Sequence, residues 1–324
     1  MSVTMSPGRY RGLRNVSLPA ADTFGIVAFD QRGSYRKMMG AQASYAQLCQ
    51  VKSEIISALS QSASAVLTDP IYGMDAAMRM SPRAGLLLAL EKSGYSGDSS
   101  YRKTELIPSW TAQTICQVGA DAVKFMVYYH PESGVLAEEL EALIKQVVAR
   151  CHACDLPVFL EPMSYSLDAA VPKASAEFAA ARPAIVIETA RRLSRIGADV
   201  LKLEAPHDIA HNQDEAAWQA SCEQVSAASA VPWVLLSAGV DFAQFERQLR
   251  VACAAGASGF LAGRAIWKEA ATMSSAARAN FMAEVAARRL DALLEIAARD
   301  ARPWSDFYTL PQFDATWYEA YALC

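Results

Sequence analysis

Short apolar runs recur along the chain, and each is followed by a polar or glycine-rich turn and a segment with apolar residues near helical spacing. Near-continuous apolar strands that alternate with helices are typical of a parallel sheet covered on its outer face. Eight such units favour an α/β fold of the closed (β/α)8 TIM barrel type over an open doubly wound sheet. The predicted strands cover residues 25–30, 65–69, 85–90, 122–129, 157–162, 200–206, 233–239 and 259–265.

Helical periodicity predicts helices between these strands, and an Ala- and Arg-rich amphipathic helix near the end of the chain. The run at residues 85–90 also fits a buried helical segment, because periodicity alone does not separate a short strand from such a segment. The predicted helices cover residues 45–60, 136–153, 184–196, 214–228, 242–255 and 272–301.

Two long loops are predicted, over residues 91–108 after the third strand and residues 164–182 after the fifth. Both would open at the C-terminal face of the barrel, where barrel enzymes carry their chemistry. The aromatic-rich residues 302–324 form an extension. We expect this extension to pack back on the barrel, with a subunit contact as the alternative.

Length and composition narrow the class of protein further. The 324 residues fit one or two domains by length, and the eight units assign residues 1–324 to a single barrel domain with its core at residues 23–301. An apolar share of 52% excludes overall disorder, and a net charge of −4 argues against a nucleic-acid partner. Because there is no apolar run of about 18 residues and no signal-like N-terminus, we expect no membrane partner and a cytoplasmic location.

Charged residues inside the apolar strands indicate where chemistry occurs, because burying an unpaired charge is costly. Lys124 lies in the fourth predicted strand, Glu161 ends the fifth, and Lys202 and Glu204 lie in the sixth. Side chains alternate along a strand, so Lys202 and Glu204 share a face. If that face points inward, two lysines and several carboxylates converge at the barrel mouth. The alternative is a buried Lys–Glu pair that only stabilises the barrel.

A desolvated lysine beside a second cation supplies the free amine that attacks a ketone and forms a Schiff base. Lys202, with Lys124 as the neighbouring cation, fits this chemistry, and Glu161 would move protons on and off the substrate oxygens. His207 and His211 follow the sixth strand at i, i+4 spacing, and with Glu161 they offer an alternative chemistry based on a divalent metal. Two loop histidines that bind no metal are the interpretation we favour.

The seventh and eighth predicted strands end in LSAG at residues 236–239 and AGR at residues 262–264. Barrels commonly bind phosphate after these strands through backbone N–H groups, and an arginine can hold phosphate through two hydrogen bonds. We therefore predict an anion site formed by Ser237, Gly239, Gly263 and Arg264. No dinucleotide, P-loop or hydrolase-elbow motif occurs in the chain.

Six short motifs, in order between about residue 23 and residue 304, together resemble the class I tagatose-1,6-bisphosphate aldolase family. They are AFDQRG (28–33), LTDPIYG (67–73), LLALEKSGY (87–95), GADAVKF (119–125), DVLKLE (199–204) and LSAGV (236–240). The resemblance implies a carbon–carbon lyase that works through a Schiff base without a metal or another cofactor. It also implies reversible cleavage of a ketose 1,6-bisphosphate of the tagatose type to dihydroxyacetone phosphate and glyceraldehyde 3-phosphate.

By match of motif, Lys202 corresponds to the Schiff-base lysine of that family. Glu161 corresponds to its acid/base glutamate, and Lys124 to its second active-site lysine. The remaining matches are to substrate- and anion-binding positions of the family. These positions are Asp30, Gln31, Arg32, Ser237, Gly239, Gly263 and Arg264.

Residues 233–267 are similar to the related sulfofructosephosphate aldolases, most clearly in ASGFLAGRAIW at residues 257–267. This similarity leaves open a sulfofructose 1-phosphate substrate, which would give dihydroxyacetone phosphate and sulfolactaldehyde. A metal-dependent aldolase and a non-catalytic sugar-phosphate-binding protein are further alternatives. The expected partner is thus a phosphorylated or sulfonated ketose, and assembly into a homo-oligomer is left open.

Overall fold

The structure, a computed structural model, describes residues 3–321. Its centre is a closed barrel of eight parallel strands, which confirms the predicted fold class. The strands of the barrel and of two small two-stranded sheets, numbered together along the chain, are β1 (Val3–Thr4), β2 (Phe24–Ala28), β3 (Ala65–Thr68), β4 (Gly85–Ala89), β5 (Ser96–Asp98), β6 (Tyr101–Lys103), β7 (Ala122–Tyr128), β8 (Val158–Met163), β9 (Val200–Leu203), β10 (Trp233–Leu235), β11 (Gly259–Ala262) and β12 (Tyr308–Thr309). The helices are α1 (Pro7–Asn15), α2 (Gly33–Met39), α3 (Tyr45–Leu59), α4 (Met74–Arg79), α5 (Ala112–Val118), α6 (Val135–Ala153), α7 (Ala176–Leu193), α8 (Glu215–Ala228), α9 (Phe242–Ala254), α10 (Arg264–Trp267), α11 (Ser275–Phe281) and α12 (Ala287–Asp300).

The barrel strands follow the order β2, β3, β4, β7, β8, β9, β10 and β11, and β11 pairs in turn with β2. The run at residues 85–90 is strand β4, which pairs with β3 and β7, so the helical alternative for this run is wrong. Strands β5 and β6 form an antiparallel hairpin inside the predicted loop 91–108. Within residues 3–321, no helix is both long enough and apolar enough to cross a membrane.

Several barrel strands end earlier than predicted, because the backbone turns away at the mouth. Strand β10 ends at Leu235, and the chain then passes through Ala238 and Gly239, whose φ angles are 48° and 91°. These positive φ values are incompatible with an extended strand, so the sheet hydrogen bonds stop before them. At the start of the barrel, β2 ends at Ala28, and Asp30 therefore follows the strand instead of ending it.

The predicted start of the helix at residue 184 is wrong, because α7 begins at Ala176. Its N-cap is Ser175, whose hydroxyl accepts a hydrogen bond from the Phe178 N–H, and Pro183 lies inside the helix. Proline is favoured in the first turn of a helix and is unusual in its interior, so Pro183 occupies an uncommon position in α7. The loop after β8 is therefore confined to residues 164–175, and Arg182 is a helical residue.

The predicted helix over residues 272–301 begins later and is interrupted. Residues Lys268–Thr272 form a 3-10 turn, and α11 starts after Ser274, whose hydroxyl caps the Ala277 N–H. A π-helical turn at Met282–Ala286 then connects α11 to α12. The short helices α1, α2, α4, α5 and α10 have no predicted counterpart, because segments of this length carry little periodic signal.

Apolar side chains fill two buried regions. One cluster contains alternate residues of the barrel strands, among them Ile26, Leu67 and Leu261, and includes the edge-to-face ring pair of Phe24 and Phe159. Because alternate strand residues share a face, this cluster marks the barrel interior. The larger cluster contains the other strand residues together with the inner faces of the helices.

The N-terminal end of the barrel is closed by both ends of the chain. Strand β1 pairs in parallel with β12, and Trp304 and Tyr308 are buried there. The expected packing of the aromatic extension is therefore confirmed for these two residues. Phe313, Trp317 and Tyr318 are more exposed, at 51%, 40% and 60%, but the same segment contacts α1, where the Tyr321 hydroxyl accepts a hydrogen bond from the Gly8 N–H at 2.9 Å. The predicted extension 302–324 is described only to residue 321.

Candidate active site

Three charged residues on adjacent barrel strands lie above the apolar interior. Lys124 is on β7, Glu161 on β8 and Lys202 on β9, and Glu161 lies within its strand instead of ending it. Each lies two positions after a residue of the interior cluster, namely Ala122, Phe159 and Val200. Because side chains alternate along a strand, all three point into the barrel at its C-terminal end.

One carboxylate oxygen joins the two lysines. Oε2 of Glu161 lies 2.8 Å from Nζ of Lys124 and 3.0 Å from Nζ of Lys202. All three side chains are buried, with exposures of 8% for Glu161, 2% for Lys124 and 3% for Lys202. The structure therefore brings together the three residues that the sequence predicted to be catalytic.

Lys124 has two further carboxylate partners. Its Nζ lies 2.7 Å from Oδ2 of Asp30 and 3.0 Å from Oε1 of Glu91. Burial alone would lower the pKa of Lys124, but the charges of Asp30, Glu161 and Glu91 outweigh burial and raise the pKa well above its usual value. Burial likewise acts to raise the pKa of Asp30, but Lys124 and Lys202 hold it well below the usual range. Lys124 and Asp30 are therefore both charged at neutral pH.

Glu91 is a site residue that the sequence analysis missed. Its Oε1 accepts a hydrogen bond from Nη2 of Arg32 at 2.7 Å, and its Oε2 accepts one from the Met126 N–H at 3.0 Å. Nη1 of Arg32 also donates to the main-chain oxygen of Glu91 at 2.5 Å. The available signal was a carboxylate directly after the apolar run 85–90.

A cavity of about 480 Å³ opens at this end of the barrel, and Lys202 and Glu161 line it. Of the three residues predicted from the opening motif, Gln31 lines the cavity, and its buried Oε1 has no hydrogen-bond partner within residues 3–321. Asp30 and Arg32 lie behind the cavity wall, where Asp30 contacts Lys124 and Arg32 contacts Glu91. Through these contacts Asp30 and Arg32 support the cavity wall without lining the cavity.

The ends of β10 and β11 bring the predicted anion-binding residues together. Ser237, Gly263 and Arg264 line the cavity. Gly239 packs against the guanidinium of Arg264, since a Cβ at Gly239 would lie 3.0 Å from Cζ of Arg264. A Cβ at Gly263 would lie 2.0 Å from the main-chain oxygen of Ala28, so only glycine fits there. Arg264 thus packs directly against a turn that requires glycine.

A second charged group lines the wall formed by β9 and the segment after β8. Glu204 follows β9, and its Oε1 lies 2.5 Å from Nζ of Lys173. Its Oε2 accepts hydrogen bonds from N and Oγ of Ser164 at 2.8 and 2.5 Å. Burial acts to raise the pKa of Glu204, but Lys173 and Arg182 outweigh it and lower the pKa to about 2. Glu204 is therefore a charged residue at neutral pH.

Lys52 on α3 is a second residue that the sequence analysis missed. It is fully buried, forms an ion pair with Asp69, and donates hydrogen bonds from Nζ to the main-chain oxygens of Phe29 at 2.6 Å and Gln31 at 3.2 Å. Burial lowers the pKa of Lys52, and the Asp69 charge offsets this effect only in part. Lys52 thus holds the backbone that positions Asp30 and Gln31.

The two histidines considered as metal ligands have other partners. Nε2 of His207 lies 2.9 Å from Oγ of Ser221, and Nε2 of His211 lies 2.9 Å from the main-chain oxygen of Ala174. Within the described range 3–321, no group of three or more His, Cys, Asp or Glu residues is arranged to hold a metal ion. The metal-dependent alternative therefore gains no support from the side-chain geometry.

Similarity to proteins of known structure agrees with this architecture. An archaeal fructose 1,6-bisphosphate aldolase superposes with a TM-score of 0.61 at 17% identity, over 90% of this chain and 99% of that chain. A fructose-bisphosphate aldolase from Slackia heliotrinireducens superposes with a TM-score of 0.64 at 15% identity, over 90% of this chain and 89% of that chain. At such identities the similarity shows the barrel fold.

Similarity in sequence is more specific. Tagatose 1,6-diphosphate aldolase 2 from Streptococcus pyogenes serotype M3 is 32% identical over 331 residues, covering 94% of this chain and 99% of that protein. Tagatose 1,6-diphosphate aldolase 1 from Enterococcus faecalis is 36% identical over 262 residues, covering 76% of this chain and 80% of that protein.

The barrel and its inward-facing charged residues thus define a carbon–carbon lyase of the class I aldolase type, as the sequence predicted. The family model for the DeoC/LacD family aldolase matches residues 24–269. This chain belongs to the DeoC/LacD aldolase family.

Proposed function

We propose that this protein reversibly cleaves a ketose 1,6-bisphosphate of the tagatose type to dihydroxyacetone phosphate and glyceraldehyde 3-phosphate, with Lys202 as the Schiff-base nucleophile. The observation that carries the proposal is the single Glu161 oxygen shared by two buried lysines, of which Lys202 lines the cavity. The relatives from Streptococcus pyogenes and Enterococcus faecalis, which carry the name tagatose 1,6-diphosphate aldolase, support this choice of substrate.

The surroundings of the two lysines decide which one attacks. Lys124 is held by three carboxylates and stays protonated, whereas Lys202 is paired with Glu161 alone among the described ion pairs and lines the cavity. An amine must lose a proton before it attacks a ketone, and Glu161 is 3.0 Å from Lys202 to accept it. Lys202 is therefore the nucleophile, and Lys124 is a fixed positive charge beside it.

The reaction follows from these positions. The neutral amine of Lys202 attacks the C2 ketone and forms a carbinolamine. Glu161 then returns the proton that it took from Lys202, so that the carbinolamine loses water and leaves an iminium ion. Glu161 then takes the proton of the C4 hydroxyl, and the electron pair of the C3–C4 bond moves into the iminium as the bond breaks. This step releases the aldehyde and leaves an enamine on Lys202. Protonation at C3 and hydrolysis release dihydroxyacetone phosphate and restore the amine.

The C1 phosphate is held between β10 and β11. Arg264 can donate two parallel hydrogen bonds to a phosphate, and Ser237 adds a hydroxyl on the same wall of the cavity. Gly239 allows the backbone to approach the guanidinium closely, and Gly263 allows the chain to pass close to the main-chain oxygen of Ala28. Gln31, with an unpaired buried oxygen in the described part of the chain, is placed to accept a hydrogen bond from a sugar hydroxyl.

Trapping with borohydride tests this assignment. Sodium borohydride added with dihydroxyacetone phosphate should fix one reduced adduct on Lys202, located by peptide mass spectrometry. Lys202→Met should prevent the adduct and lower kcat by roughly a thousandfold or more, because the covalent route is lost. Lys145→Met, which alters an exposed lysine on α6, is the matched control. It should still form the adduct and should keep the wild-type kcat. Active wild-type enzyme that stays unmodified would refute the proposal.

A further inference from the structure

The cavity is lined by cationic side chains from two different parts of the barrel. Arg264 lies at the end of β11, whereas Lys173 and Arg182 belong to the segment that follows β8. Strand β9, which carries Lys202, pairs with β10 on one side and β8 on the other. A ketose bound covalently to Lys202, with its C1 phosphate toward Arg264, therefore extends its far end toward the wall that carries Arg182.

Arg182 is buried but weakly partnered. Its exposure is 6%, its Nη1 lies 3.5 Å from Oδ2 of Asp208, and its buried Nε has no hydrogen-bond partner within residues 3–321. Arg32 is 8% exposed and its Nε likewise has no hydrogen-bond partner within residues 3–321, but its Nη1 and Nη2 make two short hydrogen bonds to Glu91. A buried guanidinium normally pairs several of its five donors. Arg182 therefore has N–H donors at the cavity wall that are available to bind a ligand.

The other charges on this wall leave Arg182 able to attract an anion. Glu204 forms an ion pair with Lys173 at 2.5 Å and accepts two hydrogen bonds from Ser164, and Arg182 acts on its charge only from a greater distance. Asp208 reaches only one nitrogen of Arg182, at 3.5 Å, and its other oxygen accepts from the Ala210 N–H at 3.0 Å. A tetrahedral oxyanion can engage two guanidinium nitrogens at shorter distance and so competes well with this contact.

We propose that Arg182 forms a second anion subsite that binds the terminal oxyanion, phosphate or sulfonate, at C6 of the ketose. This inference rests on the proposed aldolase function. It means that Arg182, on α7, selects substrates that carry a charged group at both ends. Lys173 contributes by neutralising Glu204. Arg182 is thus a specificity-determining residue, and it contacts the substrate at a position remote from the bond that breaks.

The test compares substrates with and without the distal anion. Arg182→Gln should raise KM for the ketose 1,6-bisphosphate by about 10–100-fold, as expected for loss of a charge-assisted pair. It should change kcat/KM for the corresponding ketose 1-phosphate by less than about threefold, because that substrate has no distal anion. Arg182→Lys should restore part of the loss. Arg191→Gln, on the exposed face of the same helix, is the control and should leave both constants unchanged.

A third substrate identifies the oxyanion. If Arg182→Gln weakens binding of a ketose 1-phosphate with a C6 sulfonate as well as the bisphosphate, the subsite accepts either group. If only one of the two substrates is affected, the subsite is selective for that group, and the proposal still stands. An equal loss for charged and uncharged distal ends, or no change in KM for either doubly charged substrate, overturns it.

A second measurement does not depend on folding of the variant. Wild-type enzyme reduced with borohydride in the presence of dihydroxyacetone phosphate carries an adduct that fills the Lys202 and C1-phosphate positions. Inorganic phosphate titrated into this adduct should still bind one site, and absence of binding overturns the inference. Failure of the adduct to form would instead refute the proposed function, so the two failures are distinguishable.

Discussion

At the scale of single residues, Lys124 and Lys202 contact the same oxygen of Glu161 but differ in their other partners. Lys124 balances three carboxylates within 3.0 Å, and Lys202 only one. Removing Lys124 therefore leaves the buried Asp30 without its ion-pair partner and leaves Glu91 and Glu161 with one cation each, whereas removing Lys202 leaves Glu161 still paired. These partners are consistent with the proposed roles, in which the first lysine is mainly a counter-ion and the second is the reactive amine.

Lys124→Met should lower the free energy of unfolding by about 3–5 kcal/mol, the usual cost of leaving buried charges unpaired. Lys202→Met should cost less than about 2 kcal/mol, because Glu161 keeps its contact with Lys124. Urea denaturation of the two variants at neutral pH measures the difference. Equal losses would contradict the distinct roles assigned to the two lysines.

Sequence reasoning found the site residues that break an apolar strand pattern, namely Lys124, Glu161 and Lys202. It missed Glu91, whose partners Arg32 and Lys124 lie 59 and 33 residues away in the chain. It also missed Lys52, because a lysine on a helix is usually on the solvent side. The contacts of both residues depend on how the strands close into a barrel, which local patterns do not contain.

At the scale of secondary-structure elements, the eight barrel strands were predicted, since buried parallel strands are continuous apolar runs. The start of α7 was not predicted, since residues 164–182 were assigned to a loop, whereas Ser175 caps a helix that begins at Ala176. The difference matters for the site, because it places Arg182 on a helix. The loop before α7 is joined to the end of β9 through Lys173, Ser164 and Glu204.

Glu204 should make this junction sensitive to acid. Its pKa is lowered from 4.5 to about 2, so its contribution to stability is complete above pH 4.5 and is lost as the pH falls toward 2. A shift of this size corresponds to about 3 kcal/mol. Glu204→Gln should therefore flatten the dependence of unfolding free energy on pH between about 2 and 5. Glu138→Gln, an exposed substitution on α6, should keep the wild-type slope, and the same slope in Glu204→Gln would contradict the assignment.

At the scale of the whole molecule, the face opposite the cavity is held by Asp199. Its carboxylate forms an ion pair with Arg9 of α1, lies 2.8 Å from Nε2 of His152, and accepts from the Val158 N–H at 2.8 Å. Its main-chain oxygen accepts from the Tyr308 hydroxyl at 2.6 Å. One buried residue thus joins α1, α6, the barrel and β12. That residues 1–324 fold as a single domain stays a prediction, and these connections support it.

Asp199→Asn should destabilise the protein by about 3 kcal/mol, because Arg9 loses its buried partner. It should leave KM and kcat within about twofold, since the cavity lies at the other end of the barrel. Asp306→Asn removes an exposed ion pair with Arg302 and should cost less than about 0.5 kcal/mol. Thermal unfolding with steady-state kinetics measures both effects, and a loss of activity in Asp199→Asn without a loss of stability would contradict this prediction.

The pairing of β2 with β11 has a consequence for biosynthesis. The two strands are joined at four positions, from Phe24 with Gly259 to Val27 with Ala262, but on the order of 230 residues separate them in the chain. At a translation rate of about 5–20 residues per second, β2 leaves the ribosome roughly 10–50 s before its final neighbour. Throughout that interval its outer edge offers unpaired N–H and C=O groups to other chains. The nascent chain is thus most exposed to aggregation just before it can close its barrel.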